Sequence, residues 1–153
     1  MVENKGDIVI YKTQDGLTKI NVKFEDETVW LTQAQLVELY QTSKSNISEH
    51  IKHIFEEGEL DENRTSKWDL LLQKEGSRNV KRRTKLYNLK VIIAIGFRVK
   101  SSAATAFRVW ANNIITEYMI KGYSIDDKRL EDPEKFGRDY FDELYLRIRA
   151  IHA

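Results

Sequence analysis

One short segment limits this chain more than any other. From Leu31 to Ile51 it reads Leu31-Thr-Gln-Ala-Gln-Leu36-Val-Glu-Leu-Tyr40-Gln-Thr-Ser-Lys-Ser45-Asn-Ile-Ser-Glu-His50-Ile51, which carries start signals for two helices and a break between them. Thr32 is an N-cap residue type, and Gln35 three residues later completes a capping-box pattern. Leu36, Leu39 and Tyr40 then fall on one face. After the break at Gln41-Thr42, Ser43 caps a second helix whose Ile47, Ile51, Ile54 and Phe55 have the spacing of a buried stripe. Gly58 followed by Leu60 reads as its C-terminal stop.

With that stripe turned inward, 100° per residue puts Ser45, Asn46, Glu49, Lys52 and His53 outward, with His50 at the margin. A helix-turn-helix needs this order of parts: the first helix braces the second, and the first turn of the second enters the major groove of DNA. Short polar side chains allow close approach, and the amides and positive dipole end suit a phosphate. Asn46 matches adenine bidentately, Ser45 matches several bases and Glu49 accepts from cytosine N4, while Lys44 and Lys52 are better placed for phosphates. Glu56 and Glu57 repel DNA, so the end of this helix is expected to lift away from the groove. Gln41 stands where such turns usually carry glycine, and two packed helices of any protein can imitate the pattern.

The rest of the chain alternates β and helical patterns. Residues 7–24 read as a β-hairpin about Asp15-Gly16, and Val29-Trp30-Leu31 begins a further strand. Trp68–Leu72 and Val80–Leu86 form a second hairpin about Glu75-Gly76-Ser77. Asn88 caps a short, almost wholly apolar helix to about Phe97. A longer helix starts at Ser101 or Ser102 and stops at Gly122, with Phe107, Trp110, Ala111, Ile114 and Tyr118 recurring every three or four residues. Residues 123–137 hold the only proline and many charges, the composition of a linker. Tyr140, Phe141, Leu144, Tyr145, Ile148 and Ile151 make a last amphipathic helix.

The net charge of +1 hides a strong segregation. Residues 1–63 hold 6 basic and 13 acidic residues, residues 64–100 hold 11 and 2, and residues 101–153 hold 8 and 9. The basic block is either a solvated charged hairpin or a surface for a polyanion. Arg78, Lys81, Arg82, Arg83 and Lys85 surround the second turn, where a winged-helix protein carries its wing, and cations there neutralise phosphates without reading sequence.

Several of these stretches resemble the bacterial virulence RhuM family: Val29-Trp-Leu-Thr-Gln33, Ser45-Asn-Ile-Ser48, His50-Ile-Lys-His-Ile-Phe-Glu-Glu-Gly-Glu-Leu60, Tyr87-Asn-Leu89, Gly96-Phe-Arg-Val-Lys-Ser101 and Phe107-Arg-Val-Trp110. The resemblance covers nearly the whole chain. More loosely, the layout is similar to Bro-N domains of phage and viral DNA-binding proteins. The resemblance implies a cytoplasmic DNA-binding protein encoded in mobile or pathogenicity-related regions, with relatives linked to Fic-type domains. Family members are usually longer, and Phe141-Asp-Glu-Leu144 looks like the start of their C-terminal region, which leaves open whether the chain is a truncated member.

Other chemistries find little support. The chain has no cysteine, which excludes disulfides and thiolate metal sites and fits the cytosol. Residues 1–7 lack the apolar stretch of a signal peptide, and the apolar run Val91–Ile95 is too short to span a bilayer. His50, His53 and Glu57 stand at metal-compatible spacing, but a solvated helix face explains them as well, and no metal or other cofactor is expected. No nucleophile elbow, phosphate loop or Fic signature appears, so no enzyme is expected. Phe107-Arg-Val-Trp110 reads as core packing, with Arg108 outward as a phosphate contact or a plain surface charge.

The expectation is therefore an α+β chain: a winged helix-turn-helix-like domain over residues 1–122 with an N-terminal β-hairpin, a basic second hairpin and C-terminal helices, a linker at 123–137, and an amphipathic helix at 138–153. Its function is expected to be sequence-specific binding of double-stranded DNA, as a transcriptional or mobile-element regulator. The alternative is a protein-interaction adaptor, or a partner of a Fic-type enzyme, without DNA contact. The apolar face at 139–151 is expected to form a homo-oligomer or to begin a longer C-terminal region.

Overall fold

The computed structural model describes residues 23–25, 28–131 and 140–153. The hairpin expected at 7–24 lies outside them apart from its last residues, as do most of the acidic turn after it and part of the expected linker.

The chain is α+β. In order it forms β1 (Lys23–Glu25), β2 (Thr28–Thr32), α1 (Gln33–Tyr40), α2 (Lys44–Glu56), α3 (Glu62–Thr65), β3 (Ser66–Glu75), β4 (Arg78–Asn88), α4 (Leu89–Gly96), α5 (Ser102–Lys121), α6 (Asp127–Glu131) and α7 (Phe141–Ile151). The strands make one antiparallel sheet in the order β1-β2-β4-β3. Short-range β3–β4 pairing is closed by Gly76-Ser77, with Glu75 opposite Arg78 and Gly76 at φ 62°. A two-residue hairpin turn needs such a positive φ, and glycine supplies it without steric strain.

Local chemistry sets most helix ends. Thr32 and Gln35 form the reciprocal capping box. Ser43, Asn88 and Ser101 accept from the backbone amides of Asn46, Lys90 and Ala104. α2 ends in a Schellman turn: the Gly58 amide donates to Phe55, and the Glu59 amide donates to Ile54. α1 closes with the same bonding, Gln41 to Glu38 and Thr42 to Val37. There the left-handed residue is Gln41, at φ 51° and ψ 54°, a conformation disfavoured for any residue with a Cβ. Its side-chain amide donates to the Glu38 carbonyl, which holds it in place.

Opposed residues in the β2–β4 register share a sheet face. Leu31 pairs with Tyr87, and both join Val29 in the main core. Onto this face pack Leu36, Leu39 and Tyr40 of α1, Ile47, Ile51 and Ile54 of α2, Val91, Ile92 and Ile95 of α4, and Ala104, Phe107 and Ala111 of α5. The Tyr40 hydroxyl donates to the Ile92 carbonyl at 2.5 Å, and burial pushes its phenol pKa well above the usual range. The Phe107 ring meets Tyr40 and Phe97 edge-on at centroid distances of 5.7 and 5.8 Å. Gly96 is fixed by this packing, because a Cβ there would stand 2.3 Å from a Phe107 ring carbon.

Two expectations change. The α5 stripe is only partly a core face: Phe107 and Ala111 are buried, but Trp110, Ile114 and Tyr118 are 43, 38 and 61% exposed. Arg108 is neither a loose surface charge nor a free phosphate ligand. It donates to the carbonyls of Gly96 and Val99 and to Thr105 Oγ1, satisfying groups at the end of α4. The segment read as a linker contains the helix α6.

Candidate nucleic-acid interface

The first turns of α1 and α2 are tied together. Gln33 Nε2 donates to the Lys44 carbonyl at 3.1 Å and to Ser48 Oγ. This brace fixes the angle between the helices, while Ile47, Ile51 and Ile54 anchor α2 from beneath. Along its outer side runs an open concavity of about 850 Å³ lined by Ser43, Lys44, Ser45, Ser48, Glu49, Lys52 and His53. Of the α2 residues singled out from sequence, Lys44, Ser45, Glu49, Lys52 and His53 therefore share one surface. Sequence reasoning did not single out Ser48 as a site residue, although it stands three residues after Ser45 and four after Lys44 and so on the same side of the helix.

Asn46 and His50 are placed differently. Asn46 is exposed, but its Nδ2 already donates to Thr42 Oγ1 at 3.0 Å. It is absent from the residues lining the concavity. His50 is half-buried at the margin of α2. Burial lowers its pKa, and the nearby Arg98 cation lowers it further.

The acids at the end of α2 are not free to repel a polyanion fully. Arg98 Nη2 donates to Glu57 at 2.5 Å and to Glu59 at 3.0 Å. These bonds hold the Glu57 carboxyl below the ordinary carboxylate range and remove it from any metal set with His50 and His53. Among the described residues no group of three or more His, Asp or Glu could hold a metal ion.

The register divides the five hairpin cations between two faces. Lys85, Arg83 and Lys81 stand opposite Trp68, Leu70 and Leu72, on the face that continues outward from Tyr87 and so on the helix side of the sheet. Arg82 and Arg78 lie on the other face with Asp69 and Glu75. There Arg82 makes a bidentate pair with Glu75, 2.6 and 2.9 Å, which lowers the glutamate pKa and raises that of the arginine. On the first face Lys85 pairs with Glu62 of α3. Arg83 lies over the Trp68 ring, 4.6 Å from its centroid. No charged partner engages Lys81 among the described residues, where no helix is long and apolar enough to cross a membrane.

The site thus offers two cation-bearing surfaces, one along α2 and one on the β3–β4 hairpin. No curated protein and no solved structure matches the chain. The model of the virulence protein RhuM family matches residues 64–153, from the end of α3 through α7, which leaves α1 and α2 outside the match. That span is more than half of the 153 residues, and the chain belongs to the virulence protein RhuM family.

Proposed function

We propose that this chain is a winged helix-turn-helix protein that binds double-stranded DNA in a sequence-specific way and acts as a transcriptional or mobile-element regulator. It has no catalytic role of its own. The observation that carries the reading is the α1–α2 pair: a brace at Gln33, a tight turn at Gln41, and a second helix whose outer side is an open surface of small polar and cationic groups. Ser45, Ser48 and Glu49 meet base edges, and Lys44 and Lys52 meet phosphates. Asn46 contributes through its carbonyl oxygen unless its bond to Thr42 is exchanged. The β3–β4 hairpin acts as the wing. Arg83 and Lys81 supply phosphate contacts, while Arg82 is held by Glu75.

Selection of bound duplexes from a random pool tests the reading, and recovery of a motif is the expected result. A pool with no enrichment, together with no gel shift at low salt and micromolar protein, refutes it. The hairpin assignment has its own discriminating result. Arg83→Gln weakens binding to all duplexes and lowers the salt slope by about 0.9, whereas Arg82→Gln does so less because its charge is already paired.

A second reading, protein contact, is favoured by the apolar surface left in water at the C-terminal end. Ile115, Met119 and Ile120 of α5 and Tyr145, Leu146 and Ile151 of α7 are 47 to 79% exposed. Self-association through residues 139–151 joins both readings, since paired helix-turn-helix units read two half-sites.

A further inference from the structure

The two faces of the β3–β4 hairpin differ in what they leave in water. One carries Trp68, Leu70 and Leu72 on β3, with Lys85, Arg83 and Lys81 opposite them on β4 and Lys74 nearer the turn. The three apolar side chains are 52, 65 and 66% exposed. Both acids of the hairpin, Asp69 and Glu75, lie on the opposite face. Among the hairpin's own residues the only charges on the first face are therefore cationic, Lys85 being paired with Glu62 of α3, and the face is broadly apolar as well.

A ligand for such a face must be anionic along one edge and apolar along another. A nucleic-acid strand has this chemistry, with phosphates on one side and sugars and bases on the other. The geometry is also suited to it. Same-face residues on one strand repeat at roughly 6.7 Å, close to two base steps of about 3.4 Å. Apart from Lys74, the cations occupy β4 and the apolar groups occupy β3, about 4.8 Å apart. One row can follow the backbone while the other packs against what the backbone carries. An acidic protein surface satisfies the charge, but nothing fixes its charges at that repeat.

We infer that this face is a second nucleic-acid contact surface, on which Lys81 and Arg83 track phosphates and Trp68, Leu70 and Leu72 pack on sugars or bases. The inference rests on the DNA-binding reading above and deepens it. The hairpin becomes an element that grips the strand beyond its phosphates, without reading the bases that α2 reads.

The emission of Trp68, taken as the difference between the full chain and its Trp68→Phe variant, reports on this face directly. The chain is titrated with random-sequence duplex, with single-stranded oligothymidylate and with polyglutamate. Quenching by duplex, by oligothymidylate or by both is expected, with none by polyglutamate; the stronger of the two identifies the form of strand preferred. Leu70→Ser combined with Leu72→Ser weakens binding with the salt slope unchanged, and Trp68→Ala weakens it at least about fivefold. Lys81→Gln combined with Arg83→Gln lowers the slope by about 2. All five positions are exposed, and circular dichroism checks that the fold persists. Unchanged Trp68 emission on nucleic-acid binding, wild-type affinity of the leucine variant, or equal quenching by polyglutamate overturns the inference. Ser45→Glu combined with Lys52→Glu separates the two readings. If Trp68 responds but this α2 variant keeps the sequence preference, the recognition helix is misassigned and the hairpin inference stands. The reverse pattern defeats the hairpin inference alone.

Discussion

Replacing Gly96 by alanine sets two effects of known size against each other. Alanine favours a helix over glycine by up to about 1 kcal/mol, so local propensity alone predicts stabilisation. Packing opposes it. The new Cβ would lie 2.3 and 2.4 Å from two carbons of the Phe107 ring and 2.7 Å from the Tyr40 hydroxyl, where carbon contacts are normally about 3.5–4.0 Å. The ring has little room to withdraw, because Tyr40, Phe97 and Trp110 surround it at centroid distances of 5.7 to 5.9 Å. Tyr40 is itself bound to the Ile92 carbonyl. Overpacking of this kind costs about 3 kcal/mol. The net loss is then about 2 kcal/mol, or a fall in Tm of roughly 4–8 °C for a chain of this size. Urea unfolding followed by circular dichroism measures it. Adding Phe107→Leu, which removes the obstructing ring edge, recovers part of the Gly96→Ala loss, so the double-mutant cycle shows coupling. If Gly96→Ala raises stability, or the cycle is additive, α4 and α5 do not approach as closely as described.

Other substitutions test separate parts of the fold. Gln41→Gly relieves a left-handed residue with a Cβ and should stabilise the chain by about 0.5–1 kcal/mol in urea unfolding; a loss would show that the Gln41 bond to Glu38 outweighs the strain. His50 should titrate below the ordinary 6.5 in an NMR experiment. Because its folded value is depressed, its contribution to stability is full above about 6.5 and is lost as pH falls through the folded value. Arg98→Gln should move that value upward, and a His50 pKa at or above 6.5 in the wild type contradicts the described environment. Light scattering should give a mass above one chain, with Tyr145→Asp and Ile148→Asp lowering it; a strict monomer at high concentration removes the self-association proposal.

Features set by chemistry within a few residues could be read from the sequence. The capping box at Thr32, the caps at Ser43 and Asn88, and the stops at Gly58 and Gly122 all depend on neighbours along the chain, and each stands where expected. Nothing near Gly96 along the chain explains it, because its reason is the Phe107 ring on another helix. Arg108 looked outward for the same cause, since the carbonyls it reaches belong to the end of α4. The four-residue α3 is too short to show a period. The hairpin faces turned on a single residue. A turn read as Glu75-Gly76-Ser77 leaves the register open, and a one-residue shift exchanges the two faces. Pairing of Glu75 with Arg78 settles it and separates Arg82 from Arg83.

That register also changes the meaning of the charge segregation. Counted along the chain, residues 64–100 look like an undivided basic block. Folding returns acids to it from the acidic first third: Glu57 and Glu59 reach Arg98, and Glu62 reaches Lys85. Within the block, Glu75 takes Arg82. Exposed ion pairs of this sort add little to stability, typically under about 1 kcal/mol. Their larger effect is on the field, since each shortens the reach of one cation. Among the described hairpin cations, Lys74, Lys81 and Arg83 make no ion pair and share one face, beside Trp68, Leu70 and Leu72, while Arg78, also without one, stands on the other. Ion pairing does not sort the faces, since Lys85 is paired on the first and Arg78 is unpaired on the second. The hairpin's own acids do, because Asp69 and Glu75 both stand away from Trp68, Leu70 and Leu72, and a face kept clear of them suits the polyanion proposed above.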